Sequence, residues 1–239
     1  MSHGFKRAVS PINAIFRSAG FALITLLMSG VGAGCHESGA DQAISAQQNV
    51  RNPVAKDELV STLKSRDFDR SISVLNRVKA MQYQGELIPV IVDLWSGRDI
   101  KERGLDPDFV SHPRIRIEIA DVLIQAANNG QKTVPINELG DFVRKAIKGG
   151  DFEVEVQAVR MLGELNDKED LETLVHIAEG EEDRLFQAAT VALSYDCWTT
   201  QDLADQIRDH LKVSNHREYF TRVWKDTRVT RAAICPRGG

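Results

Sequence analysis

The sequence predicts an all-α fold, and three patterns carry that expectation. Apolar residues return at helical spacing from residue 57 onward, helix-start signals stand at intervals along the chain, and one set of columns repeats. Composition agrees: of 239 residues only 6% are aromatic, while small and branched aliphatic residues are plentiful. That mixture suits packed helices better than a β-sandwich. No run alternates apolar and polar residues over strand length between turn signals.

The helical faces follow in order. Leu87, Val90, Ile91, Leu94 and Trp95 fall on one face, as do Ile136, Leu139, Phe142, Val143, Ala146 and Ile147, and again Leu171, Leu174, Val175 and Ala178. Pro113 follows Ser111-His112 at a first-turn position, where the missing N–H costs nothing. Thr199 to Asp202 and Asn215 to Glu218 have the spacing of capping boxes.

The repeat shows in columns. Asp67, His112, Asp151 and Glu182 stand at cap positions, separated by 45, 39 and 31 residues. Seven positions after them come Val74, Ile119, Ala158 and Ala189, and eleven after them Val78, Leu123, Leu162 and Leu193. Insertions near 96–110 and 128–134 account for the two longer spacings. Each first helix is followed by a second apolar-striped one, at 86–95, 136–147, 171–178 and 202–211. The segment from Asp151 to Asp167, with its acidic cap, small residue, apolar residue, Gly163 and turn, resembles the first helix of a HEAT repeat.

That resemblance covers roughly residues 61–211 and implies a short α-solenoid of about four HEAT-like helix pairs, within a repeat domain at 57–224. Residues 57–65 would cap the first pair and 215–224 the last, since the ends of such a stack need covering. The family often carries Arg four residues after the cap. Here Arg116 matches, whereas Ser71, Glu155 and Phe186 hold the other places. A polar ladder built on that column is therefore not expected, and stacking rests on apolar burial at roughly 25 cal/mol per Å².

The first 34 residues read as a targeting segment. Lys6, Arg7 and Arg17 precede an uncharged stretch centred on residues 21–28, which is shorter than a bilayer span and ends in small residues. Ala33-Gly34-Cys35 resembles the lipobox of bacterial lipoproteins, in which Cys35 becomes the lipidated first residue of the mature chain. Gly32 stands where that family usually has Leu, which leaves ordinary cleavage after Ala33 or Gly34 open, as well as a retained membrane anchor. His36 in place of Asp points to outer-membrane sorting by the family's rule, in a cell with two membranes. Residues 35–56 are polar and read as a tether spanning roughly 25 Å. With Cys35 acylated, Cys197 and Cys235 remain as an even pair in a disulfide-permissive compartment, pinning a tail at 225–239.

The formal net charge is -4, and removing the three basic residues of the leader takes it to -7. Such a chain is a poor nucleic-acid binder, and no basic stripe with interleaved aromatics is evident. There is no G-x-x-x-x-G-K-[ST] loop, no G-x-S-x-G elbow and no H-E-x-x-H helix. Gly149-Gly150 reads as a helix stop. His112 reads as a cap, and His210 and His216, with Asp209, as exposed helix ends rather than a metal site. His176 near Glu172 and Glu179 is the best local cluster for a ligand, although surface chemistry explains it as well. Residues 179–183 form an acidic turn without the ligand spacing of an EF-hand. Trp95 and Trp198, at helix ends, are expected to pack. No cofactor and no catalytic residue is assigned.

The function expected is that of a non-enzymatic envelope scaffold or adaptor, anchored in the membrane by lipid and binding a protein or peptide. Its contact surface would be the second helices, through Glu138, Asp141, Arg144, Lys145, Glu172, His176, Asp205 and Arg208. The runner-up follows from the resemblance alone. Short HEAT-like repeats also occur in proteins resembling phycobilin lyases, so the groove would hold a cofactor or substrate. A structural spacer in an envelope complex is the third reading, and it differs from the first in leaving the groove empty.

Overall fold

The computed structural model describes residues 53–81 and 85–235, and every regular element among them is helical. The expected leader, Cys35 and the expected tether up to residue 52 lie outside the described residues. Val54 is already buried ahead of α1 (Lys56–Lys64), which turns Leu59 and Leu63 inward. Asp67 caps α2 (Phe68–Ala80) by accepting the Arg70 N–H. α3 (Ile88–Ser96) has Pro89 in its first turn and stops at Gly97, whose φ of 73° suits glycine.

The first insertion forms a short helix of its own, α4 (Pro107–Val110), whose Phe109 is buried and meets the Phe68 ring at 4.9 Å. His112 caps α5 (Pro113–Asn128), its Nδ1 accepting the Arg114 N–H. α6 (Ile136–Ala146) follows the second insertion. Asp151 caps α7 (Phe152–Leu165), which ends on Asn166 in the left-handed region. A 3-10 turn (Lys168–Asp170) leads into α8 (Leu171–Ala178), and Glu182 caps α9 (Asp183–Tyr195). α10 (Gln201–His210) and α11 (Ser214–Ile234) are the last helices among the described residues.

α2, α5, α7, α9 and α11 pack against one another in that order and are called the first layer, while α3, α6, α8 and α10 each pack against helices of that row and are called the second. Neighbours in the first layer run in the same direction, since starts meet starts and ends meet ends. Arg114 at the start of α5 pairs with Asp151 at 3.1 Å, and Arg184 at the start of α9 with Glu153 at 2.7 Å. At the far ends Asn128 donates to the Glu164 carbonyl at 3.0 Å, and the Asn166 side chain accepts the Cys197 N–H at 2.9 Å. The repeat columns fill the interior. Val74, Ile119, Ala158, Ala189, Val78, Leu123, Leu162 and Leu193 are all buried, and each large one contributes roughly 1.5–3 kcal/mol relative to exposure.

One approach is closer than the rest. A Cβ added to Gly163 would lie 2.6 Å from the Cα of Ala192 and 2.7 Å from its carbonyl oxygen. The α7 and α9 backbones therefore meet where neither side carries bulk, and Gly163 marks a contact as well as the turn that follows it.

Two expectations need correction. The tail at 225–239 is helix as far as Ile234, because nothing from 215 to 235 is Gly or Pro and Pro236 is the first breaker. The capping boxes also move. α10 is capped by Thr200 instead of Thr199, whose buried hydroxyl donates to Asp196 at 2.8 Å. Asn215 to Glu218 sit inside the first turn of α11. The Cys197–Cys235 bond is present, with a Cα separation of 5.4 Å, and joins the end of α11 to the loop after α9.

Gly163→Ala is expected to lower stability by about 1–2 kcal/mol in a denaturant melt, since overpacking costs more than helix propensity returns. An unchanged or raised midpoint would contradict the close approach. Cys235→Ser is expected to remove about 3–4 kcal/mol under oxidising conditions, with no further loss on adding a reductant.

Candidate functional site

The second layer carries the residues expected to bind a partner, and their surroundings differ. Glu138, Asp141 and Lys145 on α6 are exposed, as are Glu172 and His176 on α8. Arg144 is not free. Its Nε reaches Asp170 at 2.7 Å, and one terminal nitrogen reaches Asp167 at 2.8 Å and Asp170 at 3.0 Å. The Asp170 hydrogen bond, joined by the fields of both carboxylates, raises the guanidinium pKa above its usual value. Asp170 is only 4% exposed, so Arg144 pins the turn ahead of α8 to α6. Asp205 and Arg208 are half-buried and pair with each other at 2.7 Å, while Asp209 takes a second nitrogen of Arg208. Arg144 also lies 3.7 Å from Asp141, so the second layer offers four open groups, Glu138, Lys145, Glu172 and His176, and four engaged ones.

A different polar bridge stands where the Arg column does not. Asp121, 3% exposed, accepts from Lys79 at 2.6 Å, from Gln157 at 2.8 Å and from Gln125 at 3.2 Å, linking α2, α5 and α7. Relative to their caps these three helices contribute positions twelve, nine and six, a drift of three per helix that a search for one fixed column passes over. Burial pulls the Lys79 ammonium down, but Asp121, Glu118 and Glu164 together outweigh it and hold its pKa up. Glu118 lies beside this bridge. Burial pushes its carboxyl up to about 7, with Lys79 opposing and Asp121 adding to the rise.

Arg116, four residues after the His112 cap, lies 3.9 Å over the Trp95 ring and donates to the Trp95 carbonyl at 3.0 Å. Burial lowers its pKa, with Glu138 opposing. Trp95 is buried as expected, whereas Trp198 is 36% exposed and donates to the Asn166 carbonyl.

The histidines separate. His210 faces Glu179 at 3.5 Å, and Asp209 faces Arg208, so the grouping of His210 with His216 and Asp209 does not form. His216 is instead buried in the first turn of α11, its ring stacked on Phe186 at 3.8 Å and its Nε2 bonded to Asp183 at 2.7 Å. These groups line a cleft of about 490 Å³ between the starts of α9 and α11, with Gln187, Tyr219 and Arg222. Burial raises the Tyr219 pKa against the opposing charges of Arg222 and Arg160, which keeps the hydroxyl protonated. The lining supplies aromatic faces, amides and charges of both signs, which are groups for recognition. The one signal in the sequence was Phe186, an aromatic four residues after its cap, where Arg116 stands after His112. Its partner lies thirty residues on, outside any local pattern.

No group of three or more His, Cys, Asp or Glu able to hold a metal occurs among the described residues, and none of the described helices is long and apolar enough to cross a membrane. Compared with protein-family models, curated proteins and solved structures, the chain matches none.

A raised carboxyl pKa makes the folded state bind the proton more tightly than the unfolded chain. Stability associated with Glu118 is then complete below pH 4.5 and is lost progressively as pH rises to about 7. Glu118→Gln is expected to remove that fall. The variant should match the parent near pH 4 and exceed it by about 1–2 kcal/mol at pH 8 in urea melts, a figure discounted for partial exposure. Parallel pH profiles for the two proteins would show that Glu118 titrates normally.

Proposed function

We propose that this chain is an exported lipoprotein, anchored through Cys35, whose HEAT-like helix pairs form a short solenoid that binds a protein or peptide partner in the cell envelope. The observation that carries the reading is the second layer. α6 and α8 each bury one side against the first layer and leave Glu138, Asp141, Lys145, Glu172 and His176 uncovered on the other. A surface of separate charges on rigid helices suits a polar-rimmed protein interface better than an enclosed small-molecule site. Rigidity comes from the clamp at Arg144, which fixes α6 and α8 relative to each other before any partner arrives. Support for export comes from the leader pattern and from the disulfide, which persists in oxidising compartments.

Two measurements test this. Mass spectrometry of the mature N-terminus is expected to find an acylated Cys35. Crosslinking in intact envelopes is expected to recover one stoichiometric protein with the parent chain, and at least tenfold less of it with Asp141→Lys and Glu172→Lys combined, at an unchanged melting temperature. Equal recovery with both charges reversed would leave the second layer without a role.

A further inference from the structure

Charge is distributed unevenly along the folded chain. Residues 151–211 hold 16 acidic and 4 basic residues, whereas residues 212–231 hold 6 basic and 2 acidic. The change of sign falls at α11, the last helix of the first layer.

The way cations are used changes at the same point. Of the eleven arginines from Arg66 to Arg208, nine lie within 4.0 Å of a carboxylate. On α11 the pattern stops. Arg217 donates to the Leu211 carbonyl and Arg222 lies over the Tyr219 ring. Among the described residues Arg222, Lys225 and Arg228 have no carboxylate partner, although acidic residues are in excess on the helices beside them. Arg217, Arg222, Lys225 and Arg228 are all exposed, and helical geometry places them within one arc of about 140° that holds a single acid, Glu218, for a net charge of +3. The opposite side of α11 is occupied, with His216, Phe220 and Thr227 buried.

From these observations we infer that the exposed arc of α11 seats on the anionic headgroups of a phospholipid surface. The occupant follows from charge and reach. A short line of cations on a straight helix matches a plane of negative charge, and juxtamembrane basic residues bind such planes through the surface potential. The acidic remainder of the domain is repelled by the same surface, so the domain would stand with α11 toward the lipid. The inference rests on the proposed anchor, which keeps the domain near a membrane. The 18 residues from Cys35 to residue 53 span roughly 25 Å on average as a flexible chain and at most about 60 Å when fully stretched. The four helix spacings from α2 to α11 amount to about 40 Å. Anchor and α11 therefore reach one bilayer together when that chain is partly extended.

The test uses the full chain carrying Cys35→Ser, so that no acyl group contributes. Cosedimentation is measured with vesicles of phosphatidylcholine alone and with vesicles containing phosphatidylglycerol. Binding to the anionic vesicles is expected to be at least tenfold stronger and to weaken as salt rises. The combined change Arg222→Glu, Lys225→Glu and Arg228→Glu should bring it to the neutral-vesicle level, with an unchanged circular dichroism spectrum. If the reversal unfolds the chain, the corresponding Gln triple is used and should lose most of the difference. Equal binding to both vesicle types, or binding indifferent to the triple change, overturns the inference. So does arc-dependent binding to polyglutamate without binding to anionic vesicles, which would assign the arc to an acidic protein. Cys35 acylation is read separately, so an acylated chain with an inert α11 arc removes this inference and leaves the anchor standing.

Discussion

The row of first-layer helices depends on how closely α7 and α9 approach at Gly163 and Ala192. At that distance two backbones are in contact, and a shift of either helix along its axis would bring a larger side chain into the gap. Register between the middle helices is therefore set by excluded volume. The pairs at the helix starts, Arg114 with Asp151 and Arg184 with Glu153, are open to solvent, with only Asp151 less than half exposed, and add little to stability by themselves. They fall into place because the packing behind them has already been decided.

The buried polar groups extend this logic to the rest of the domain. Asp121 sits deep between α2, α5 and α7 and satisfies both oxygens with Lys79, Gln125 and Gln157. Asp170 does the same with the fork of Arg144. Losing either cation would leave a carboxylate buried without compensation, which is costly, whereas an intact pair contributes modestly. Such pairs therefore act mainly to exclude other arrangements of neighbouring helices. They also explain why Arg144, exposed by periodicity, serves the fold before it serves any surface.

Local features were legible in the sequence. All four caps, Asp67, His112, Asp151 and Glu182, bond to the first turn of the helix they precede, because a cap needs only its own neighbours. The two apolar columns are buried for the same reason. Cysteine arithmetic reached the disulfide because only one pair remained. What escaped was set by chain segments meeting across the fold. His216 joins Asp183 from thirty-three residues away, and Lys79 joins Asp121 and Gln157 with an offset that shifts from helix to helix. The extension of α11 escaped for a different reason: its polar second half has no clear apolar face, and the disulfide holds its end in place. The candidate site was legible as a set of exposed charges, but which of them the fold consumes was not.

α11 occupies the position that the next first-layer helix would take, and its far end is bonded covalently to the loop after α9. This constrains where such a domain can take on further helices. A new pair appended after α10 would have to displace α11, and the Cys197–Cys235 bond would then no longer close. A pair inserted between earlier units leaves the terminal lock untouched and meets faces of the same kind on both sides. Descendants that differ in size would therefore be expected to vary in the interior of the row and to keep the same closing helix.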